Sequence, residues 1–272
     1  GEYGDSSDRD ERFWAAAELF SLTGEVRFLD AFLALYSENF SKTALGYASV
    51  GGFGALSFYI NKVFSGMLSG GDSDGLLSSI SVSETDCAKL EDYLQMQDML
   101  TTRAQIRADF LAAAAHCAAL VPKNAYLVAM EKNDYHWGSN MTLLNNGILL
   151  ILGFLLTGNH KYRKAALSSL HYLLGRNATG YSYVTGHGTI SCRYPHMRTV
   201  FADGIDEPIP GFVSGGPNAH PSDETGKRRI APDTPPMKCY LDDYACYSLN
   251  EVTIYWNSPA VFVAAFFDSN PQ

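Results

Sequence analysis

Apolar residues recur at helical spacing along most of the chain, whereas the alternation typical of strands is scarce. Apolar positions three and four residues apart lie on one face of a helix, which can then pack on a core. The sequence therefore predicts a mainly α fold. The predicted helices span residues 12–23, 25–36, 44–63, 84–120, 142–156, 160–174 and 250–267.

Individual residues mark where these helices should begin, break and end. Asp8 or Asp10 can cap the first helix, and Gly24 can stop it. We expect the long helix to break near Thr101 and the last one to kink or restart at Pro259. The stretch 44–63 is rich in Gly, so it can be a helix only if its small residues pack closely on a neighbour.

Two stretches lack helical periodicity. Residues 65–83 are rich in Gly, Ser and Asp, which predicts a linker or loop. Residues 175–247 contain clusters of Gly, Pro and His and are far longer than a connection between helices requires. Such length is typical of a functional loop.

One sequence pattern occurs twice. The order Leu-Thr-Gly-x3-aromatic-x2-Ala is found in residues 22–31 and again in residues 156–165. In both places a helix should end on Gly and the next should begin with an aromatic residue on its inner face. Repeated hairpins of this kind stack into a solenoid or close into an α/α toroid. Coincidence in a chain rich in Ala and Leu is the alternative.

Length and charge narrow the classes of partner. The chain has 272 residues, enough for one large domain or two small ones, and its 46% apolar and 18% charged content is typical of globular proteins. Its net charge of -9 disfavours nucleic acid and anionic lipid, because phosphates would be repelled. The apolar run 147–156 is too short to span a bilayer, so we expect no membrane segment.

Other features bear on the compartment. Five cysteines are too few for a disulfide scaffold, and the odd count leaves at least one thiol free. Three Asn-x-Ser/Thr sequons, at Asn39, Asn140 and Asn177, favour a secreted protein. The chain begins at Gly1 without a signal peptide, and we interpret it as a processed or excised piece.

Carboxylates and aromatic rings are concentrated in residues 240–258. Asp242, Asp243 and Glu251 lie there among Tyr and Trp residues, where the long loop meets the last apolar helix. Glycoside hydrolysis needs an acid to protonate the leaving oxygen and ring faces to hold the sugar. A structural alternative exists, because Ser248 and Glu251 have the spacing of a capping box at a helix start.

A second set of polar residues surrounds His196. In an extended backbone His196 and Arg198 would point to the same side and could bind sugar hydroxyls together. An ordinary surface His beside a salt-bridged Arg is the alternative. Trp137 is a candidate sugar platform or a packing residue. Zinc could formally use His196 with three cysteines, although their spacing fits no standard zinc site. These cysteines are Cys192, Cys239 and Cys246.

Hard oxygen ligands cluster near the N-terminus, ahead of the first helix. Such clusters suit Ca²⁺, although helix caps explain most of them. A more distant carboxylate in the segment before Trp137 is a candidate additional ligand. The predicted calcium set is Ser6, Ser7, Asp10, Glu11 and Asp134.

Residues 240–258 resemble an active-site signature of glycoside hydrolase family 9, whose members are mostly endoglucanases. The shared order is aromatic-x-Asp-x4-aromatic-x3-Glu-x-Thr-x3-Asn-Ser, which fixes Asp242, Tyr247, Glu251, Thr253, Asn257 and Ser258. Residues 182–198 resemble the family's other signature, which ends Pro-His-x-Arg. Ile190 departs from that signature, which prefers Asn, Lys or Arg there. Similarity to the family extends over residues 1–267.

The resemblance implies a fold, an activity and residue roles. The fold would be part of an (α/α)6 barrel, a six-hairpin toroid with long active-site loops. Glu251 would be the proton donor, with Asp242 and His196 as further catalytic residues and Arg198, Tyr247 and Trp137 binding substrate. The chemistry would need no cofactor, and a structural calcium is common in the family.

The resemblance is incomplete at the catalytic base. Family 9 enzymes invert the anomeric centre and hold their base in an Asp-Ala-Gly-Asp segment, which this chain lacks. The nearest stretch, residues 202–206, has a different order and an inserted Ile. We therefore expect residues 1–272 to be the C-terminal portion of one catalytic domain, with the N-terminal half as partner.

These observations predict an inverting β-1,4-glucanase that acts on cellulose or related β-glucans outside the cell. Two alternatives stay open. One is an exo-acting β-glucosidase or glucosaminidase on the same scaffold. The other is a noncatalytic helical module that binds glycans.

Overall fold

The computed structural model describes residues 4–47, 49–61 and 87–269, and helices dominate them. The mainly α prediction is confirmed. Within these ranges, three short 3₁₀ turns and isolated β-bridges lie between the helices. The α-helices of the described residues are α1 (Arg9–Thr23), α2 (Val26–Tyr36), α3 (Gly51–Ile60), α4 (Cys87–Leu120), α5 (Ser139–Thr157), α6 (His160–Leu173), α7 (Arg198–Ala202), α8 (Glu224–Arg229), α9 (Tyr247–Asn250) and α10 (Ile254–Ser269).

The chain divides into two compact units, Gly1–Phe110 and Leu111–Gln272. In the first unit α1 packs against α2 and α3. Phe32 stacks between Phe13 and Phe58, at ring distances of 4.3 and 4.0 Å. All three side chains are fully buried. Apolar packing of aromatic rings therefore forms the core of this unit.

The Gly-rich helix α3 forms as the sequence required, by close packing of its small residues. A methyl group at Gly54 would lie 2.7 Å from the Phe13 ring and 2.8 Å from the Trp14 Cα atom. These distances leave no room for a side chain. The predicted span 44–63 was too long, because α3 runs only from Gly51 to Ile60 among the described residues. The predicted loop 65–83 lies outside the described residues.

Helix α1 ends as predicted but begins differently. Gly24 adopts the left-handed conformation, with φ 69°, and closes the helix. Neither predicted cap accepts a hydrogen bond from the first turn. Asp8 is at the N-cap position without a side-chain bond, and Asp10 instead accepts from Val50 N at 2.7 Å. The predicted break in α4 is also wrong, because that helix is continuous and Thr102 is buried within it.

In the second unit the apolar helix α5 packs against α6 and α10. Helix α5 is long and apolar enough to cross a membrane, by length and composition only. Our expectation that the apolar run is too short is therefore wrong, because the helix extends well beyond residues 147–156. However, 61% of its most apolar window is buried inside the structure. Burial, rather than length, identifies α5 as a core helix.

The repeated Leu-Thr-Gly pattern forms the same corner in both units. Gly24 and Gly158 have φ values of 69° and 70°. Each preceding Thr hydroxyl donates to a carbonyl four residues earlier, at 2.8 Å from Thr23 and 2.6 Å from Thr157. Each hydroxyl also accepts from a main-chain N–H two residues later. The pattern is therefore a structural repeat of helical hairpins.

Candidate active site

Glu251 lies between two helices in the second unit, after the end of α9 and before the start of α10. Its N–H donates to Tyr247 O at 2.9 Å, and its carbonyl accepts from Gly215 N at 3.1 Å. Its backbone also forms a parallel bridge with His196. Helix α9 and two segments that are distant in sequence therefore fix the backbone of Glu251.

The capping-box alternative for Glu251 is wrong. Ser248 donates its hydroxyl hydrogen to Asp223 at 2.5 Å and does not cap a helix. The long helix begins at Ile254, four residues later than predicted, and Thr253 Oγ1 accepts from Trp256 N at 3.2 Å. The carboxylate of Glu251 is therefore not needed for a helix start. Pro259 lies inside α10 without ending it.

The Glu251 side chain contacts one aromatic ring, and two further rings lie next to that one in turn. Trp137 Nε1 donates to Glu251 Oε2 at 3.0 Å. The ring of Tyr247 lies 5.5 Å from that of Trp137 and 5.8 Å from that of His196. Three predicted site residues thus form a row of rings that begins at the carboxylate of a fourth, Glu251. Trp137 is 38% exposed, so part of its ring is open to solvent.

His196 is held at two points. Its N–H donates to Asn250 O at 2.7 Å, and its Nδ1 lies 2.7 Å from Tyr244 O. Because a carbonyl oxygen only accepts, Nδ1 carries the proton in that contact. The other ring nitrogen, Nε2, then acts as an acceptor when the imidazole is neutral. This arrangement suits the recognition of a hydroxyl group.

Asp242 links its own loop to the loop that carries His196. Its two carboxylate oxygens accept from Arg193 N at 2.8 Å and from Tyr194 N at 3.0 Å. Burial raises the pKa of Asp242, against the effect of these two hydrogen bonds, and the neighbouring Asp243 raises it further. In this structure Asp242 positions the segment that precedes His196.

Arg198 is the first residue of helix α7. The preceding residue, Met197, is extended, with φ -133° and ψ 114°. The expectation that Arg198 and His196 point to one side therefore stays a prediction. The side chain of Arg198 is exposed. Substrate binding by Arg198 remains a prediction.

Asn250 was missed by sequence reasoning, yet it organises the site. It is fully buried, and its amide nitrogen donates to three carbonyls, those of Leu241, Asp243 and Cys246. Its side-chain oxygen accepts from the Tyr240 hydroxyl at 2.7 Å. Only its position beside Glu251 in the signature could have drawn attention to it.

Residues 211–216 connect the site to the helices. Asn140 Nδ2 donates to Ser214 O at 2.8 Å, and Asn257 Oδ1 accepts from Val213 N at 3.0 Å. Gly216 has φ +92°, and a methyl group on it would lie 2.5 Å from the Asn140 side chain. Asn257 thus supports the site through the backbone of this loop.

Two of the three sequons lie inside the folded protein. Asn140 and Asn177 are 1% and 7% exposed, and their amide groups donate to main-chain carbonyls. A glycan on either side chain would require these bonds to break. Only Asn39 is exposed. The sequons at Asn140 and Asn177 therefore no longer support secretion.

Two of the predicted metal ligands accept hydrogen bonds from main-chain amides. Asp134 accepts from Glu131 N at 2.7 Å in a 3₁₀ turn, and Asp10 accepts from Val50 N. Among the residues that the structure describes, no group of three or more His, Cys, Asp or Glu side chains is arranged to hold a metal. Ser6, Ser7, Asp10 and Glu11 belong to the first unit and Asp134 to the second, and calcium binding by this set stays a prediction.

The cysteines near the site are thiols and not zinc ligands. Cys192, Cys239 and Cys246 are free and buried. Burial raises the pKa of Cys192 and of Cys246 to about 12. Among the described residues, these thiols and His196 do not form a group that is arranged to hold a metal. The zinc alternative is therefore wrong.

Comparison with known proteins identifies the family. The profile of Glycosyl hydrolase family 9 matches residues 1–264. The chain belongs to glycosyl hydrolase family 9. The resemblance drawn from the two signatures is thereby confirmed.

Family 9 relatives cover the chain almost completely. A cellodextrinase of Butyrivibrio fibrisolvens is 34% identical over 96% of this chain and 44% of its own length. A xyloglucan-specific endo-β-1,4-glucanase of Bacteroides ovatus is 33% identical over 99% of this chain and 40% of its own length. The chain thus spans less than half the length of these relatives.

Solved family 9 structures share the fold. A thermostable endoglucanase from Alicyclobacillus acidocaldarius matches with a TM-score of 0.78 and 31% identity, over 98% of this chain and 44% of that one. The prediction that the helices form part of an (α/α)6 barrel is confirmed by the helical structure and these family 9 neighbours.

Proposed function

We propose that this chain contributes the acid side of an inverting active site that hydrolyses β-1,4-glucosidic bonds in cellulose or related β-glucans. The observation that carries the proposal is the contact of Trp137 with Glu251, beside Tyr247 and His196. Relatives named cellodextrinase, cellobiosidase and endoglucanase support the substrate class. No cofactor is part of the proposed chemistry.

Glu251 is the proposed general acid. Trp137 holds its Oε2, whereas no described residue donates a hydrogen bond to its Oε1. A carboxyl held at one oxygen can deliver a proton from the other to the glycosidic oxygen of the leaving group. His196, with Nε2 as an acceptor, and the rings of Tyr247 and Trp137 are proposed to orient the sugar.

The proposed base comes from a segment equivalent to the N-terminal half of the same catalytic domain. Inversion requires a second carboxylate roughly 6.5–9.5 Å from the acid to activate water. Asp242 is unsuitable because both of its oxygens accept from main-chain amides. This chain lacks Asp-Ala-Gly-Asp. We expect the purified chain to release almost no sugar from cello-oligosaccharides. Rapid hydrolysis by the chain alone would contradict the proposal that the base lies in another segment.

Glu251→Gln tests the acid in an active form of the protein that contains this chain. We expect hydrolysis to fall by about 10²–10⁴-fold, the usual contribution of a general acid, while oligosaccharide binding is retained. Glu224→Gln is the matched control, because Glu224 is exposed and belongs to α8. Unchanged hydrolysis in Glu251→Gln would remove Glu251 from the mechanism and favour a noncatalytic glycan-binding module.

Endo and exo action are separated by products. We propose endo action because relatives include endoglucanases. Two other relatives, named cellodextrinase and cellobiosidase, favour the exo-acting alternative. Early release of long oligosaccharides from soluble cellulose derivatives supports endo action. Release of glucose or cellobiose alone would favour the exo-acting enzyme.

We propose a calcium ion near the start of α1 that has fewer than three carboxylate ligands, because no described group of three such side chains is arranged to hold a metal. A hydrogen bond to its own backbone lowers the pKa of Glu11, but burial and the carboxylates of Asp10 and Asp5 raise it overall. A cation would relieve this repulsion. Calcium should raise the Tm relative to EDTA, and Glu11→Gln should reduce that rise. Equal Tm values with calcium and EDTA would exclude the ion.

Secretion is proposed on the nature of the substrate, because an insoluble glucan is degraded outside the cell. Asn39 is the one sequon asparagine that is exposed. Fractionation of the producing cells tests the proposal. Activity confined to the cell interior would contradict it.

A further inference from the structure

A cavity of about 210 Å³ lies beside the loop that carries His196. Its floor is apolar and includes Pro195 and Val200, both buried. Phe201 and Tyr244 contribute aromatic rings, and Arg193 and Asp206 bring charged groups to its edge. This volume is below the roughly 300–1,000 Å³ of pockets that hold drug-sized ligands, so the cavity has room for about one sugar ring.

The rings of this cavity continue the aromatic cluster of the candidate active site. Tyr244 lies between His196 and Phe201, at ring distances of 4.6 and 4.0 Å. The Tyr244 carbonyl also receives the His196 Nδ1 hydrogen bond. Tyr244 therefore lines the cavity and also contacts His196.

Phe201 offers the open ring face in this arrangement. It stacks on Tyr244 at an interplanar angle of 20° and remains 66% exposed. Tyr194 is 52% exposed at the same cavity. Flat apolar faces bind the C–H surface of a pyranose, and nearby charged groups bind its hydroxyls. Arg193 and Glu207 form an exposed pair at 3.6 Å, which can rearrange around a ligand.

We propose that this cavity binds a single-sugar branch on a β-1,4-glucan whose backbone lies at Glu251. The inference rests on the proposed function of that site and names its substrate more closely, as a glucan with single-sugar side chains. Phe201 provides the stacking face and acts on specificity, not on proton transfer. An extended second chain does not fit, because the cavity holds about one ring.

The test uses saturation-transfer NMR on the Glu251→Gln variant of an active form of the protein that contains this chain, so that the oligosaccharide is bound but not hydrolysed. The probe is a cello-oligosaccharide that carries one α-1,6-linked xylose. Its backbone protons report on the Glu251 site, and its branch protons report on the cavity. We expect both sets to receive saturation, and Phe201→Ala to reduce the branch signals by about fivefold or more while the backbone signals persist.

Two further variants sharpen the result. Phe201→Tyr keeps the ring face, and we expect it to keep the branch signals. Phe262→Ala is the matched control, because Phe262 is a partly exposed phenylalanine on α10 that does not line the cavity. Folding is checked from amide spectra, and the exposure of Phe201 makes unfolding of Phe201→Ala unexpected.

The outcomes separate the two proposals. Backbone saturation without branch saturation, or branch signals unchanged in Phe201→Ala, would overturn the cavity assignment and leave the proposed function standing. Saturation of neither set would overturn both. Loss of branch signals alone in Phe201→Ala supports the branch-binding cavity.

Discussion

The core of the first unit and the candidate active site of the second are held together by different forces. In the first unit, Phe32 stacks on two other fully buried rings. At the site, buried Asn250 makes four side-chain hydrogen bonds and Asp242 accepts two from main-chain amides. The ring core depends on volume and shape, whereas the site depends on donors and acceptors that match.

The difference predicts which substitutions each region tolerates. A ring core should accept another apolar side chain of similar size at a moderate loss. A buried amide that satisfies several groups should not accept even a side chain of the same shape if its donors are lost. Three sets of variants test this comparison.

The largest effect is expected at Phe32. Phe32→Ala should lower the free energy of unfolding by about 3–5 kcal/mol, because it leaves a cavity between two rings. Phe32→Leu should lose clearly less. Leu22→Ala, on an 83% exposed residue of α1, is the control and should change little. Urea unfolding followed by circular dichroism measures all three. Equal losses for Leu and Ala would contradict packing as the main force.

The next effect is expected at Asn250. Asn250→Ala should cost about 2–4 kcal/mol, since buried carbonyls and the Tyr240 hydroxyl lose their partners. Asn250→Asp keeps the shape but cannot donate, so it should destabilise at least as much. The control is Asn146→Ala, which removes a single bond to Ala129 O.

Urea midpoints measure these losses, and the imidazole shifts of His196 report any movement of the site. A small loss in Asn250→Asp would show that shape matters more than donors, and the comparison of the two regions would fail.

The smallest effect is the pH dependence at Asp242. Burial raises its pKa above the ordinary value of 3.8, so the folded state holds the proton more tightly than the unfolded state. Unfolding then releases a proton between the two pKa values, and stability falls as pH rises through the folded pKa. Asp242→Asn lacks this dependence.

The stability difference between wild type and Asp242→Asn should therefore shift toward the variant as pH rises from 3.8 toward neutrality. Urea midpoints of both proteins across that range measure the shift. A difference that moves toward wild type would mean that the amides of Arg193 and Tyr194 outweigh burial.

The sequence predicted the helical regions well because their signals are local. Gly24 and Gly158 end helices where the repeated pattern placed them, and α2, α5 and α6 lie close to their predicted spans. The failures involve long-range partners. Asp10 bonds to Val50 and Ser248 bonds to Asp223, so neither serves the nearby helix start that its spacing suggested.

The site was predictable to the extent that a family signature records it. The signatures identified Asp242, Tyr247, Glu251 and His196 by their positions. Trp137 was predicted only as an aromatic residue that could hold a sugar, and no spacing predicted that its nitrogen contacts Glu251. Asn250 was missed because a lone Asn has no sequence pattern that marks it as buried.

The two hydrogen bonds that Asp242 accepts from main-chain amides affect how this protein can evolve. The donors are the main-chain N–H groups of Arg193 and Tyr194, which every amino acid except proline supplies. Both side chains are exposed and line the cavity beside the site. Mutation can therefore replace these side chains and change the surface of the cavity, while the attachment that holds the loop of His196 is inherited unchanged.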